Sequence, residues 1–285
     1  MDGVGKTAVA VAAGRALESS RSDALVRDPY AAELVRLADA GLPFPQAWPD
    51  DPVAADPLEQ SLLLSAVYVG LRTRFIDDEV TDAGLDQVVI LGSGLDPRAW
   101  RLPSLDGAAV FELDSAEVGA FMSSAMAGVA SGAHRVPLAA DVTEPWAADL
   151  VRSGFRPDAP TMWVLEGLLP YLGADDQRAL VDDIVHLSAP GSRAVIEQAT
   201  ALDASEASEE RLETYSRLTG LPMDEVLARS SPPDPAALLA DAGWHTARTT
   251  IRELEHLYSR ALSLDGTGTT SGDRGGFVTA TRPAR

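Results

Sequence analysis

The stretch VVILGSGLDPRAWRL, from Val88 to Leu102, decides the fold. It opens with an uninterrupted apolar run and passes directly into Gly92-Ser93-Gly94. Such a run is typical of a strand in a parallel sheet, which is buried on both faces. Glycines that follow the strand let backbone amides approach a ligand closely. The stretch therefore predicts a strand that ends in a ligand-binding turn, with a plain strand-to-helix turn as the alternative.

The same pattern repeats along the chain, where apolar runs alternate with segments of helical character. Further strands are predicted at 109–113, 135–139, 161–165 and 194–198. A short helical turn is predicted at 98–101 and helices at 116–130, 146–152 and 175–187. A helix at 235–242 and strands at 244–250 and 276–281 follow; periodicity does not give the direction of these last two strands. Alternating strands and helices predict an α/β fold with a Rossmann-like, doubly wound and mostly parallel sheet.

The first 83 residues have a different, mainly helical character. Helices are predicted at 7–18, 29–40 and 58–80, the second with Asp28 as N-cap and Pro29 at its first position. The five prolines in residues 42–57 predict a loop. We interpret residues 1–83 as an N-terminal helical cap within the same domain as 84–285, with a helical lid at about 202–234.

Composition excludes several classes of protein. The formal net charge is −20, which argues against a nucleic-acid surface built from clustered Lys and Arg. The absence of cysteine excludes disulfides and thiolate metal sites, and the four histidines lack metal-ligand spacing. The apolar runs are too short to span a membrane, and no signal peptide is apparent. We expect a cytoplasmic protein. The sequence carries no signal for its oligomeric state.

Acidic residues follow three of the predicted strands. Asp114 lies about 20 residues beyond the glycines, where an acid can accept hydrogen bonds from both ribose hydroxyls. Asp141 could bind an adenine amino group, and Glu166 ends a fully apolar strand. The alternatives are that Asp114 caps a helix or lies in a solvated loop, and that Asp141 only caps the following helix. Glu166 needs a partner, because a buried charge is costly.

The glycine turn and Asp114 leave NAD and S-adenosylmethionine (SAM) as candidate ligands. The dinucleotide fingerprint requires a third glycine at position 97, but this residue is Pro97. Close packing of a helix over a pyrophosphate is then harder. SAM has no phosphates, so the departure favours SAM.

The motifs together resemble a known family. VVILGSGLDPRAWRL, FELD (111–114), AADV (139–142) and LEGLLPYL (165–172), in this order, are similar to those of the leucine carboxyl methyltransferases. The closer likeness is to the bacterial small-molecule branch, which includes polyketide O-methyltransferases. DPYA (28–31) and RTRFID (72–77) add to the resemblance, which spans about residues 7–197.

The resemblance implies roles for individual residues. It implies that Arg72 pairs with the SAM carboxylate, that Glu166 lies under the methionine part, and that Tyr171 lies near the methyl-transfer centre. The other implied cofactor contacts, including the neighbours of the key glycines and acids, are Gly92, Ser93, Gly94, Asp96, Asp114, Ser115, Asp141 and Val142. Pro97 and Ser115 depart from the residues that are usual at these positions in the family.

We therefore predict a SAM-dependent O-methyltransferase that acts on a carboxylate or hydroxyl of a small molecule and releases S-adenosylhomocysteine. Arg74 is a candidate for orienting an acidic substrate. A carboxylate needs no base because it is already ionised, whereas a hydroxyl would benefit from one. The alternatives are a protein carboxyl or N-methyltransferase, a SAM-binding protein without activity, and a dehydrogenase.

Overall fold

A computed structural model describes residues 3–198, 232–266 and 275–284. Its centre is a seven-stranded sheet with the order β3-β2-β1-β4-β5-β7-β6. The strands are β1 (Gln87–Leu91), β2 (Ala109–Asp114), β3 (His134–Ala139), β4 (Met162–Leu165), β5 (Arg193–Gln198), β6 (His245–Thr250) and β7 (Gly276–Thr281). The first five strands pair in parallel, which confirms the predicted Rossmann-like α/β class. The predicted lid at about 202–234 lies outside the described residues except for its last three.

β7 supplies the part of the topology that periodicity did not give. It inserts between β5 and β6 and runs antiparallel to both. Parallel neighbours need a crossover connection, whereas an antiparallel strand can return directly to the sheet. β7 is a reversed strand inside the sheet, with β6 at the edge, and the residues at 276–281 alone could not indicate this placement.

Helices cover both faces of the sheet. They are α1 (Gly3–Ser19), α2 (Ala31–Ala38), α3 (Pro57–Ala83), α4 (Arg98–Arg101), α5 (Ala116–Ala125), α6 (Ala147–Arg152), α7 (Ala174–Leu187), α8 (Pro235–Asp241) and α9 (Ile251–Tyr258). α5 is shorter than predicted, because the chain turns at Gly128, whose φ is +84°. The sequence analysis missed α9. Among the described residues, no helix is long and apolar enough to cross a membrane.

The core explains why β1 is uniformly apolar. Val89 and Leu91 pack in the cluster on one face of the sheet, and Val88 and Ile90 pack in the cluster on the other. All four are at most 2% exposed. Burying one such side chain contributes about 1.5–3 kcal/mol, so both faces hold β1 in register.

The N-terminal helices pack against one another and onto the sheet domain. α1 lies against α2 and α3. α2 begins at Ala31, two residues later than predicted, and its N-cap is Tyr30, so the prediction of Asp28 as N-cap and Pro29 as first helical residue was wrong. Asp28 instead holds the turn before the helix, because its Oδ1 accepts hydrogen bonds from the amides of Tyr30 and Ala31 at 2.9 and 3.0 Å. Val9 of α1 shares an apolar cluster with Leu95, next to the glycine turn. The cap therefore lies against the turn predicted to bind the cofactor.

Candidate active site

The glycine turn after β1 is tied to the end of β2. The amides of Gly92 and Ser93 donate to the Leu113 carbonyl at 2.9 and 3.0 Å. The Gly94 amide donates to Asp114 Oδ2 at 2.7 Å. Gly94 has a φ of +51°, in the left-handed region that favours glycine. The turn and Asp114, 20 residues apart in sequence, therefore form one unit.

Asp114 is held in place on both sides. Its Oδ2 accepts from Gly94, and its Oδ1 accepts from the Ser115 amide at 2.7 Å. The N-cap of α5 is Ser115, whose hydroxyl accepts from the Val118 amide, so Asp114 is not the cap. Each carboxylate oxygen offers more than one acceptor site. The arrangement leaves acceptor capacity for the two hydroxyls of a ribose.

Asp141 follows β3 in an exposed turn. Its Oδ1 accepts from the amide and the hydroxyl of Thr143, at 2.9 and 2.7 Å. The hydrogen bond from the Thr143 amide has the larger effect and that from its hydroxyl the next, and both lower the pKa of Asp141. Asp141 does not cap α6, whose N-cap is Trp146. Val142 packs partly buried against the core beside it, so both predicted adenine contacts lie past the carboxyl end of β3.

Glu166 follows β4 and lies between two arginines. Arg72 Nε is 2.9 Å from Glu166 Oε1, and Arg98 Nη1 is 2.6 Å from Glu166 Oε2. Burial alone would raise the pKa of this carboxyl. The positive charges of Arg98, Arg72 and Arg15 outweigh burial and lower the pKa to about 2. Glu166 is therefore a fixed negative charge, which answers the need for a partner inferred from its sequence position.

Asp96, two residues after Gly94, belongs to this cluster because it binds Arg98. Its Oδ1 accepts from the Arg98 amide at 2.9 Å and its Oδ2 from Arg98 Nη1 at 2.5 Å. Asp77 binds Arg98 Nε at 2.7 Å and Arg101 Nη1 at 2.5 Å. Asp96 is 7% exposed. In this arrangement it acts through Arg98, which the sequence analysis did not select.

Glu197, at the end of β5, was also missed. Its carboxylate accepts hydrogen bonds from the Tyr68 hydroxyl, from Arg72 Nη1 at 3.1 Å and from the Gly167 amide at 2.6 Å. It is 6% exposed. An acid that ends an apolar strand was the signal used for Glu166, and the same signal at β5 would have found Glu197. Glu197 joins α3 to the loop after β4.

Helix α1 forms the cover of the site, which we call the α1 cover (Gly3–Ser19). A Cβ added to Gly94 would lie 3.1 Å from the Ala8 Cβ, so α1 is in close contact with the turn. The Thr7 side chain is hydrogen-bonded to Tyr171. Arg15 donates to the Leu95 carbonyl and to Asp28. Tyr171, which the resemblance places near the methyl-transfer centre, therefore lies in the loop after β4 and contacts the α1 cover.

Arg74 lies outside the cluster of arginines and carboxylates around Glu166. Its side chain is 47% exposed, with Nε 3.0 Å from Asp78 Oδ2 one helical turn later. Its guanidinium lies 5.8 Å from the ring of Tyr258. Arg72 and Arg74 are two residues apart on α3, and such neighbours do not share a helix face. The structure gives Arg74 surface partners.

The charge of the cluster fits SAM. Arg72, Arg98 and Arg101 lie among four carboxylates, so the formal sum is −1; the carboxylates are Asp77, Asp96, Glu166 and Glu197. SAM carries a sulfonium, an ammonium and a carboxylate, with a formal sum of +1. Asp114 offers acceptors for the ribose, and Pro97 leaves the turn without the third glycine that a pyrophosphate needs. The residues therefore fit SAM better than a dinucleotide.

Comparison with known proteins gives a consistent result. The family model described as leucine carboxyl methyltransferase matches residues 8–185. A candidate S-adenosyl-L-methionine-dependent methyltransferase of Saccharopolyspora erythraea is 38% identical over 92% of this chain and 91% of its own length. One of Streptomyces coelicolor is 37% identical over 99% and 95%. The solved structure of a candidate methyltransferase from Thermobifida fusca has the same fold, with a TM-score of 0.54, 17% identity and coverage of 95% and 94%.

The parallel sheet, the glycine turn and the acids at the strand ends define a SAM-dependent methyltransferase with a Rossmann-like fold. The family match covers more than half of the chain. The chain belongs to the leucine carboxyl methyltransferase family, and its cofactor is SAM.

When bound, SAM supplies an electrophilic methyl group on a positively charged sulfur. The resemblance assigns its carboxylate to Arg72 and its methionine part to Glu166, and Asp114 would hold the ribose. Positioning the two reactants and excluding water supply much of the rate of such a displacement. The α1 cover and the buried ion pairs provide a fixed, partly enclosed setting for this.

Proposed function

We propose that this protein is a cytoplasmic O-methyltransferase that transfers the methyl group of SAM to a carboxylate or hydroxyl oxygen of a small molecule, such as a polyketide or another secondary metabolite. The observation that carries the proposal is the α1 cover. Thr7 contacts Tyr171, and Ala8 lies against Gly94, so the acceptor side of the site is narrowed by a helix. A narrow, covered site favours a small acceptor over the surface of a folded protein.

Two phenols support transfer to oxygen. Tyr68 and Tyr171 lie close to Arg72 and Glu197, beside the end of the site assigned to methionine. Burial raises the pKa of both phenols, so both stay protonated at neutral pH. Neutral hydroxyls in a half-buried site can align an acceptor oxygen without adding charge. The acceptor-side residues we propose are Tyr171 and Tyr68.

The test is a transfer assay with methyl-labelled SAM and three acceptor series: small aromatic and polyketide-like hydroxyl compounds, the corresponding carboxylic acids, and amines. A peptide with a free C-terminal carboxylate tests the protein-methylation alternative. Methyl esters are cleaved by mild base and methyl ethers are not, so the treated products separate the two oxygen acceptors.

We expect labelled product from a hydroxyl or carboxyl series and none with Asp114→Ala. Label in the amines or the peptide alone would contradict the proposal. SAM binding without transfer to any series would favour a binding protein without activity.

A further inference from the structure

Arg98 joins three segments of the chain through three carboxylates. It is 2% exposed, and its Nε donates to Asp77 Oδ1 at 2.7 Å. Its Nη1 donates to Asp96 Oδ2 at 2.5 Å and to Glu166 Oε2 at 2.6 Å. These acids lie on α3, in the turn after β1 and in the loop after β4. One guanidinium therefore ties the glycine turn to Glu166 and anchors both to α3.

The register of the sheet gives the direction of the cofactor. Leu91 at the end of β1 pairs with Leu113 of β2 on one side and with Leu165 of β4 on the other. The residues that follow, Asp114 and Glu166, therefore flank the glycine turn about 10 Å apart, which is two strand spacings. The strand order reverses here, and open α/β sheets bind ligands at such a point. A cofactor that binds Asp114 with its ribose and directs its adenine toward β3 extends its methionine part toward Glu166.

The two arginines that bind Glu166 differ in what else they can do. Arg72 takes Oε1, and the resemblance assigns the same arginine to the SAM carboxylate. Arg98 takes Oε2 and is buried among its other two carboxylates, and its planar guanidinium fixes the direction of each contact. When Arg72 engages the cofactor, Arg98 is therefore the contact that keeps Glu166 in its orientation.

We propose that Arg98 is a positioning residue that orients Glu166 toward the ammonium of the methionine part of SAM, and so sets the affinity for this part without touching it. The glycine turn keeps its own bonds to Leu113 and Asp114, so the nucleoside end of the site does not depend on Arg98. The inference goes beyond the proposed function, because it concerns the cofactor and holds for any acceptor.

The experiment compares two ligands that share the nucleoside. S-adenosylhomocysteine carries the amino acid part, and 5′-methylthioadenosine lacks it. Calorimetry gives the Kd of each ligand for the wild type and for Arg98→Lys. Lysine keeps the positive charge but loses the planar fork, so it cannot hold three carboxylates in fixed directions. We expect binding of S-adenosylhomocysteine to weaken about tenfold, as for one loosened charged hydrogen bond, and binding of 5′-methylthioadenosine to stay unchanged.

The matched control is Arg135→Lys. Arg135 also pairs with a buried carboxylate, with its Nε 3.1 Å from Glu112 Oε1, but it lies near the amino end of β3, away from the glycine turn. This change loses a guanidinium fork in an ion pair outside the site. We expect it to leave the Kd of both ligands unchanged.

A second variant, Asp77→Asn, loosens Arg98 from the side of α3 and leaves its contacts with Asp96 and Glu166. It keeps the proposal testable if Arg98→Lys does not fold. We expect a smaller loss of affinity than for Arg98→Lys, again for S-adenosylhomocysteine alone.

The route through Glu166 is tested by repeating Arg98→Lys in a Glu166→Gln background. Because the two residues act as a unit, we expect no further loss of affinity for S-adenosylhomocysteine there. A loss of full size in that background would overturn the proposal. Equal losses for both ligands in Arg98→Lys would also overturn it, since they would show that Arg98 only supports the turn, and so would unchanged binding of both. None of these measurements uses an acceptor, so their failure leaves the proposed function intact.

Discussion

Replacing Asp114 with asparagine tests the cofactor assignment most directly. Each Asp114 oxygen accepts one backbone amide at 2.7 Å, from Gly94 on one side and Ser115 on the other. Asparagine keeps one oxygen and turns an NH2 group toward the other amide, so two donors face each other. The side chain then offers one neutral acceptor to the ribose where there were two charged ones.

The expected loss follows from the value of these bonds. A hydrogen bond to a charged group is worth about 1.5–3 kcal/mol and a neutral one about 0.5–1.5 kcal/mol. Losing one charged bond and weakening the other costs about 2–4 kcal/mol, which is about 30-fold to 1,000-fold in Kd. Calorimetric titration with S-adenosylhomocysteine measures this change directly.

The matched control is Asp56→Asn. Asp56 likewise accepts two backbone amides, from Leu58 and Glu59 at 2.9 and 3.0 Å, but as the exposed N-cap of α3. We expect it to change stability slightly and cofactor affinity not at all. A folded Asp114→Asn variant that binds within about fivefold of wild type, a difference of about 1 kcal/mol, would refute the assignment of Asp114 to the ribose.

Two further predictions concern the cluster and the cover. Glu166→Gln leaves Arg72 and Arg98 short of a buried partner, so urea denaturation at pH 7 should show a loss of about 3–5 kcal/mol. Because folding lowers the pKa of Glu166, the stabilisation from its charge is complete above the ordinary pKa of about 4.3 and is lost as pH falls toward about 2. The difference in unfolding free energy between wild type and Glu166→Gln should therefore shrink over that range. A constant difference would contradict the role of charge. Gly94→Ala forces a left-handed φ and a 3.1 Å contact with Ala8, so we expect weaker cofactor binding and a loss of at least about 1–2 kcal/mol of stability. Adding Ala8→Gly should recover the contact portion only, and full recovery would show that backbone strain is unimportant.

The sequence predicted the strands and the acids at their ends with good accuracy, for a physical reason. Parallel strands place their carboxyl ends at one edge, so Asp114 and Glu166 could be assigned to the same region before any coordinates. Their roles by family resemblance remain predictions. What the structure adds is that Asp114 accepts a hydrogen bond from the Gly94 amide and that Glu166 is ion-paired with Arg72 and Arg98.

The missed features depend on contacts distant in sequence. Tyr68 and Glu197 are 129 positions apart, and nothing in the spacing of α3 indicates that its Tyr68 faces β5. Arg74 was selected from the same helix because sequence does not show which face is buried. Helix α9 carried a readable signal, since Thr250 and Glu253 form a capping box, but its eight residues lack a long apolar period.

The α1 cover also gives access to the motion of the site by chemical labelling. Lys6, beside Thr7 and only partly buried, is the single lysine in a sequence that has no cysteine. An amine-directed reagent therefore has one side chain to modify, and it lies on the helix that contacts Gly94 and Tyr171. A change in the rate of labelling at Lys6 when S-adenosylhomocysteine is added would show that the bound cofactor alters the exposure of this helix.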